Sequence, residues 1–189
     1  MASQAYIFDF DGVLVHTMEA HFIYYKKALA EVNVPIDRSL FYQQAGRTGH
    51  EMIQLFADRA GITVDAGAVY RRKREIWSAE DPTPLITPIE CNVELLRTLR
   101  SAGYKTAIAS GSSSRSVLPA MARFHIETDA VVAAEDVKRG KPHPDLFLCA
   151  AQRLGVEPCR CTVVEDSEVG IEAARAAGMH ALRFHEIKQ

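Results

Sequence analysis

The chain lacks the features that would place it in a membrane, on nucleic acid or outside the cell. Its longest uninterrupted apolar run, Leu146 to Ala151, falls far short of the roughly 18 residues of a spanning helix. Neither charge is in excess. Lys and Arg number 22 against 24 Asp and Glu, a formal net charge of -2, so no global field draws nucleic acid or an anionic membrane, and any charge chemistry must be local. No basic segment followed by an apolar stretch opens the sequence, so no secretory signal is visible. Cysteine is scarce: Cys91, Cys149, Cys159 and Cys161 match neither a zinc knuckle nor a C-x-x-C redox pair. Reduced thiols in a cytoplasmic protein are the expectation. Disulfide pairing or metal binding through Cys159 and Cys161 is the minor alternative, because one intervening residue is too few for a usual chelate. Internal repeats and low-complexity stretches are absent. What is present is 189 residues, 48% hydrophobic and 24% charged, enough for one globular domain or a core carrying an inserted subdomain.

Along the chain, Ala5-Tyr6-Ile7-Phe8 reads as a strand that ends abruptly in Asp9-Phe10-Asp11-Gly12. From Ala102 onward short β-rich runs alternate with helical stretches, the pattern of a parallel α/β sheet. Tyr104 to Ala109, Ala130 to Ala133, Cys161 to Val164 and Ala181 to Phe184 are the further strands. Between them lie three helices. One follows Ser110-Gly111-Ser112-Ser113-Ser114 with Val117, Leu118, Met121 and Phe124 on one face. A second runs from about Pro144 to Leu154 and stops at Gly155, and a third passes through Ile171, Ala174 and Ala177 to Gly178. The segment from His16 to Leu85 has no strand signal and reads as helical. Met18, Phe22, Tyr25 and Leu29 mark its first helix, His50 to Ala60 the second and Asp65 to Trp77 the third. Pro82, Pro84 and Pro88 punctuate the return. The expected architecture is thus α/β, a Rossmann-like parallel-sheet core of residues 1–15 and 86–189 with an inserted small α-helical cap of residues 16–85.

The informative polar residues each follow a strand. Asp9 and Asp11, Ser110, and Glu165 with Asp166 come directly after strand-like runs, and the carboxyl ends of parallel strands line the binding crevice. Carboxylates converging from separate strands suit a hard divalent cation, and Mg²⁺ is the economical choice. Without a cation the like charges would repel and one group would stay protonated. Ser110-Gly111-Ser112 at a helix start offers hydroxyls and unpaired backbone N–H groups for an anion, with Gly111 allowing close approach. Lys141, between Gly140 and Pro142, could add a positive charge. Metal, anion cradle, lysine and a spare aspartate together describe phosphoryl transfer.

In these segments the sequence resembles the haloacid dehalogenase superfamily. FDFDGVLVHT is similar to its first motif, IASGSS to its second, KRGKPHPD to its third and VVEDSEVGIEAARAAG to its fourth, in the same order and spanning nearly the whole core. The resemblance implies that Asp9 is the nucleophile forming an aspartyl-phosphate, and that Asp11 is the general acid/base and also gives its backbone carbonyl to Mg²⁺. It implies phosphate binding by Ser110, Gly111, Ser112 and Lys141. It further implies metal ligation by Asp166 and by Glu165, as in the beta-phosphoglucomutase-like branch, whose cap the helical insertion also resembles. The stretch from Asp129 to Met179 reads much like that branch's bacterial sugar-phosphate phosphatases.

Two positions depart from the pattern. His16 stands where the family usually has an acidic residue, which alters the hinge or the hydrogen bonding beside the nucleophile. Gly49 or His50 stands where a mutase would place an arginine for the distal phosphate, which favours a plain phosphatase. Asp11 argues against dehalogenase chemistry, since haloacid dehalogenases of the family lack an aspartate there.

Three residues of the insertion are candidate substrate contacts. His21 lies one turn from Met18, Tyr24 and Tyr25, where a packed histidine and a substrate contact are equal readings. Lys73 is centred among Val69, Tyr70, Ile76 and Trp77. An unpartnered buried lysine is costly, so it is expected to point towards a cleft and meet substrate, the alternative being a stem that snorkels over a helix interface. Arg47, between Gly46 and Gly49, is a candidate specificity residue. The run Arg71-Arg72-Lys73-Arg74 is no nucleic-acid patch, because consecutive helix residues do not share a face. The expected function is a Mg²⁺-dependent phosphatase of small phosphorylated metabolites, with no nucleic-acid or membrane partner. A phosphosugar mutase is the runner-up and a non-catalytic metabolite-binding protein comes third. The sequence does not settle the oligomeric state.

Overall fold

A computed structural model describes residues 4–44 and 49–184. The chain divides into two compact units, one of Met1–His16 with Thr87–Gln189 and the other of Thr17–Ile86. In chain order the described elements are β1 (Ala5–Phe8), β2 (Val15–His16), α1 (Met18–Ala30), α2 (Arg38–Gln43), α3 (Gly49–Ala60) and α4 (Ala66–Ala79). After them come β3 (Thr87–Pro88), α5 (Glu90–Ser101), β4 (Lys105–Ala109), α6 (Ser114–Arg123), β5 (Ala130–Val132), α7 (Asp145–Leu154), β6 (Cys161–Glu165), α8 (Glu168–Ala176) and β7 (His180–Arg183).

The first unit is built on a five-stranded sheet in the order β5-β4-β1-β6-β7, every pair parallel. Its central strands are apolar on consecutive residues because helices cover both faces, so there is no solvent side to alternate with. Ile7 sits in register with Ala107 on one side and Val163 on the other, all three fully buried. Helix α7 lays Leu146, Phe147, Ala150, Ala151 and Leu154 against this core. It ends at Gly155, whose φ of 66° is the left-handed conformation that terminates a helix at little cost to glycine. The chain leaves β1 towards β4 and β5 and later returns to the opposite side through β6 and β7. That reversal makes the carboxyl end of β1 a topological switch point, where ligands of such sheets bind. The fold is therefore α/β and Rossmann-like, with a helical insertion after the first strand.

Four elements differ from the sequence expectation. Helix α5 follows Pro88 directly and buries Val93 and Leu96, while its Asn92 Nδ2 donates to Val13 O at 2.8 Å and pins the turn after β1. The two-residue strands β2 and β3 pair antiparallel, His16 opposite Thr87, flanking the expected helical insertion, and neither is among the expected strands. Such short pairings leave no periodicity to read. Helix α6 starts as expected after the serine run, but only Val117 and Met121 of the expected face pack inward, whereas Leu118 is 51% exposed.

The second unit packs α1 to α4 around Phe22, Tyr25, Leu29, Phe41, Ile53, Phe56 and Trp77. Helix α2 had no expected counterpart. Its N-cap Asp37 accepts from Leu40 N at 2.7 Å, and it exists to insert Phe41 beside the rings of Phe22 and Tyr25, 5.6 Å from each. All four cysteines are free, and burial pushes the Cys161 thiol up to about 11. Among the described residues no helix is long and apolar enough to cross a membrane.

Candidate active site

The site lies at the carboxyl ends of β1, β4 and β6. Asp9 follows β1 and is held by its own amide, which donates to Val164 O at 3.0 Å. The chain then turns sharply. Gly12 N donates to Val15 O at 2.8 Å, and Leu14 N and Val15 N both donate to Phe10 O. Gly12 adopts a φ of 83°, and a Cβ there would come within 2.3 Å of Asp166 Oδ2. Glycine is thus required twice, for the left-handed turn and for the close approach to the loop after β6.

Lys141 reaches this turn from the segment preceding α7. Its Nζ donates to Asp9 Oδ1 at 2.6 Å and to Glu165 Oε1 at 2.8 Å, and it stands 5.1 Å from the centre of the Phe147 ring. Asp11 is turned to the second motif, where its Oδ2 accepts Ser112 Oγ at 2.7 Å and Ser110 Oγ at 3.1 Å. Ser110 Oγ in turn accepts the Ser112 amide at 2.9 Å. At Gly111 an added Cβ would meet nothing within 4 Å, so the protein's own packing does not demand a glycine there.

Asp9, Glu165 and Asp166 bring carboxylate oxygens within 4.8 Å of one another. Their electrostatics reveal the strain of that arrangement. Burial pushes Asp9 up to about 8, with Lys141 pulling the other way and the charges of Glu165 and Asp11 adding to the rise. Burial, then the hydrogen bond and charge of Glu165, push Asp166 up to about 7. Burial acts upward on Glu165 too, yet Lys141 and the Ser167 amide outweigh it and hold that carboxyl below the ordinary range. Burial would lower Lys141, but the charges of Asp9 and Glu165 win and raise it. One ammonium thus faces three carboxylates. A purely oxygen-donor set with uncompensated negative charge fits Mg²⁺.

A stability consequence follows. Asp9 and Asp166 are raised from 3.8, so their contribution is fully present below that value and is lost as pH rises through about 7 to 8. A divalent cation held by these side chains would need the deprotonated carboxylates and so would compete with those protons. Excess Mg²⁺ is expected to raise the melting temperature clearly at about pH 8.5 and little at about pH 5. Differential scanning fluorimetry checks this, and an equal shift at both pH values would remove the carboxylates as the metal site.

Of the expected site residues, the structure brings together Asp9, Asp11, Ser110, Ser112, Lys141, Glu165 and Asp166, and Gly111 lies in the loop beside them. The metal-compatible cluster uses the side chains of Asp9, Glu165 and Asp166, while the Asp11 carboxylate is bonded to serines instead. His21 and Lys73 belong to the helical unit. There Lys73 is 5% exposed, with Nζ 3.1 Å from His21 Nδ1 and 4.2 Å from the centre of the Trp77 ring, on which the His21 ring also stacks. Arg47 lies outside the described residues. Ser167, not singled out above, donates to Glu165 through both its amide and its hydroxyl. The only trace in the sequence is a serine preceding a helical stretch, an N-cap signal.

A parallel α/β sheet with an acidic cluster, a buried lysine and a serine-rich loop at its switch point has the charges and donors that phosphoryl transfer calls for. Comparison with known proteins agrees. The description of the haloacid dehalogenase-like hydrolases matches residues 6–184. The chain is 32% identical over 185 residues to the fructose-1-phosphate phosphatase of Escherichia coli (strain K12), covering 93% of each. It is 32% identical over 196 residues to the beta-phosphoglucomutase of Bacillus subtilis (strain 168), covering 95% of this chain and 82% of that one. The crystal structure of CbbY from Rhodobacter sphaeroides in complex with phosphate superimposes with a TM-score of 0.76 at 26% identity, over 95% of this chain and 84% of the other. The chain belongs to the haloacid dehalogenase-like hydrolase family and is an enzyme of that class.

Proposed function

We propose that this chain is a Mg²⁺-dependent phosphatase of small phosphorylated metabolites, sugar phosphates foremost, working through an aspartyl-phosphate on Asp9. The observation that carries the reading is the pairing of Asp9 with Lys141 at 2.6 Å at the end of the central strand, beside a separate carboxylate, Asp11, bonded to Ser110 and Ser112. Asp9 attacks phosphorus, and the Lys141 ammonium, already at its side, offsets charge on the phosphoryl oxygens. Ser110, Gly111 and Ser112 offer hydroxyls and amides to the same oxygens. Asp11 protonates the departing oxygen and then deprotonates the water that cleaves the acyl phosphate. Asp9, Glu165 and Asp166, with the Asp11 carbonyl, would hold Mg²⁺, which when bound supplies positive charge to the transferring group. Substrate discrimination is assigned to the helical unit, through Lys73, His21 and Arg47.

The similarity to a beta-phosphoglucomutase supports a second reading, a phosphosugar mutase. One position weighs against it. Either Gly49 or its neighbour His50 stands where a mutase would place an arginine for the distal phosphate, and neither can supply a guanidinium. A phosphate-release screen over phosphorylated metabolites tests both readings. Release is expected in Mg²⁺ and none in EDTA. Full activity in EDTA ends the metal assignment, and isomerisation of a hexose phosphate without release establishes the mutase.

A further inference from the structure

Glu165 ends β6 and is 1% exposed, so its carboxylate is fixed by what surrounds it. Lys141 Nζ at 2.8 Å and Ser167 Oγ at 3.0 Å both donate to Oε1, and the Ser167 amide donates to Oε2 at 2.8 Å. A serine hydroxyl carries a single proton. Ser167 Oγ already accepts the Gly170 amide at 3.1 Å, which leaves its proton for Glu165. The bonds therefore run in one direction, from the first turn of α8 through Ser167 Oγ into Glu165 Oε1. That oxygen also receives Lys141, whose other bond goes to Asp9 Oδ1. The α8 backbone closes the space behind the carboxylate, because a Cβ at Gly170 would lie 1.7 Å from Oε1 and 2.5 Å from Glu165 Cγ.

A lysine ammonium is a mobile point charge on a four-carbon stem, and it stays in place only where its partners do. Asp9 does not keep its free carboxylate through a covalent cycle, since phosphoryl transfer to it forms an acyl phosphate. Glu165 is the carboxylate that persists. We propose that Ser167 is a positioning residue for Lys141, acting through Glu165, with Gly170 supplying the space that lets the serine and the carboxylate meet. The kinetic part of this proposal rests on the phosphatase reading, and the structural part does not.

The competing account is that Ser167 merely caps α8. Aspartate caps a helix as well as serine does, but an ionised aspartate has no proton to give Glu165. The test uses the full chain with Ser167→Ala, Ser167→Asp and Ser167→Thr. It measures kcat/KM with a good substrate, inhibition by inorganic phosphate and melting temperature, and it includes a crystal structure of the alanine variant. Alanine and aspartate are each expected to lower kcat/KM by about ten- to a hundredfold, the worth of a hydrogen bond to a charged group. Both should also weaken phosphate inhibition by about tenfold, as the displaced ammonium no longer meets the anion. Threonine keeps the hydroxyl and should stay within about threefold of the wild type. In the alanine variant Lys141 Nζ is expected beyond hydrogen-bond reach of Asp9 Oδ1. An aspartate variant with wild-type kinetics, a threonine variant as impaired as alanine, or an unmoved Lys141 would each overturn the proposal. If the wild-type enzyme releases phosphate from no ester, the phosphatase reading fails, and the position of Lys141 still decides the role of Ser167.

Discussion

Asp9→Asn is expected to lower turnover at least about a thousandfold while leaving the fold intact, because the substitution removes the covalent nucleophile and nothing beside it can replace it. Glu165 is fully buried and bonded to Lys141 and Ser167, so it cannot take over the attack. The fold survives for a definite reason. Burial already drives Asp9 towards its neutral form, and Lys141 keeps Glu165 as a charged partner at 2.8 Å. An amide of the same size therefore strands no unpaired charge, the costly outcome when one member of a buried pair is removed. Steady-state kinetics with a thermal melt checks both halves. Turnover near the wild-type rate would take Asp9 out of the nucleophile's role.

Asp11→Asn is expected to discriminate between leaving groups. An alkoxide needs a proton as it departs, whereas nitrophenolate leaves unaided, so phosphoenzyme formation should slow severely with alkyl phosphates and much less with p-nitrophenyl phosphate. The geometry should hold, since an asparagine carbonyl can still accept the Ser110 and Ser112 hydroxyls that Asp11 Oδ2 accepts now. Hydrolysis of the acyl phosphate lacks its base with either substrate. Nitrophenol should therefore appear as a burst followed by a slow phase, with phosphate trapped on Asp9. Rapid-quench kinetics reads both steps, and an equal proportional loss on both substrates with no burst would count against Asp11 as the acid/base.

Both variants sit in segments legible from the sequence. An apolar run broken by Asp9-Phe10-Asp11-Gly12, a strand ending in Ser110 and another ending in Glu165-Asp166 already indicate a parallel sheet with acids at its carboxyl edge. Parallel strands are buried on both faces, and only at their ends can the chain place polar groups against a ligand, so sequence position and chemistry coincide. Helices α1, α3, α4 and α7 were legible for a similar reason, since each carries an apolar stripe over several turns. Helix α2 was not, because six residues with a single buried Phe41 have no stripe to repeat. Helix α5 was legible but went unread: after the prolines that mark the return to the core, Val93 and Leu96 lie on one buried face over its turns.

The sequence by itself determined the fold class and the order of the motifs and marked the candidate site residues, because periodicity and strand-end acids are local properties of the chain. Tertiary structure alone decided which charge meets which. Asp11 bonds to serines about a hundred residues away, Lys141 bridges the carboxylates of Asp9, just after β1, and Glu165, at the end of β6, and Lys73 is buried beside His21 and Trp77. It also set close approaches that favour glycine: Gly12 lies against Asp166 and Gly170 against Glu165. Such pairings depend on the distance between segments remote in sequence, fixed only when the sheet register and the helix seats are set together.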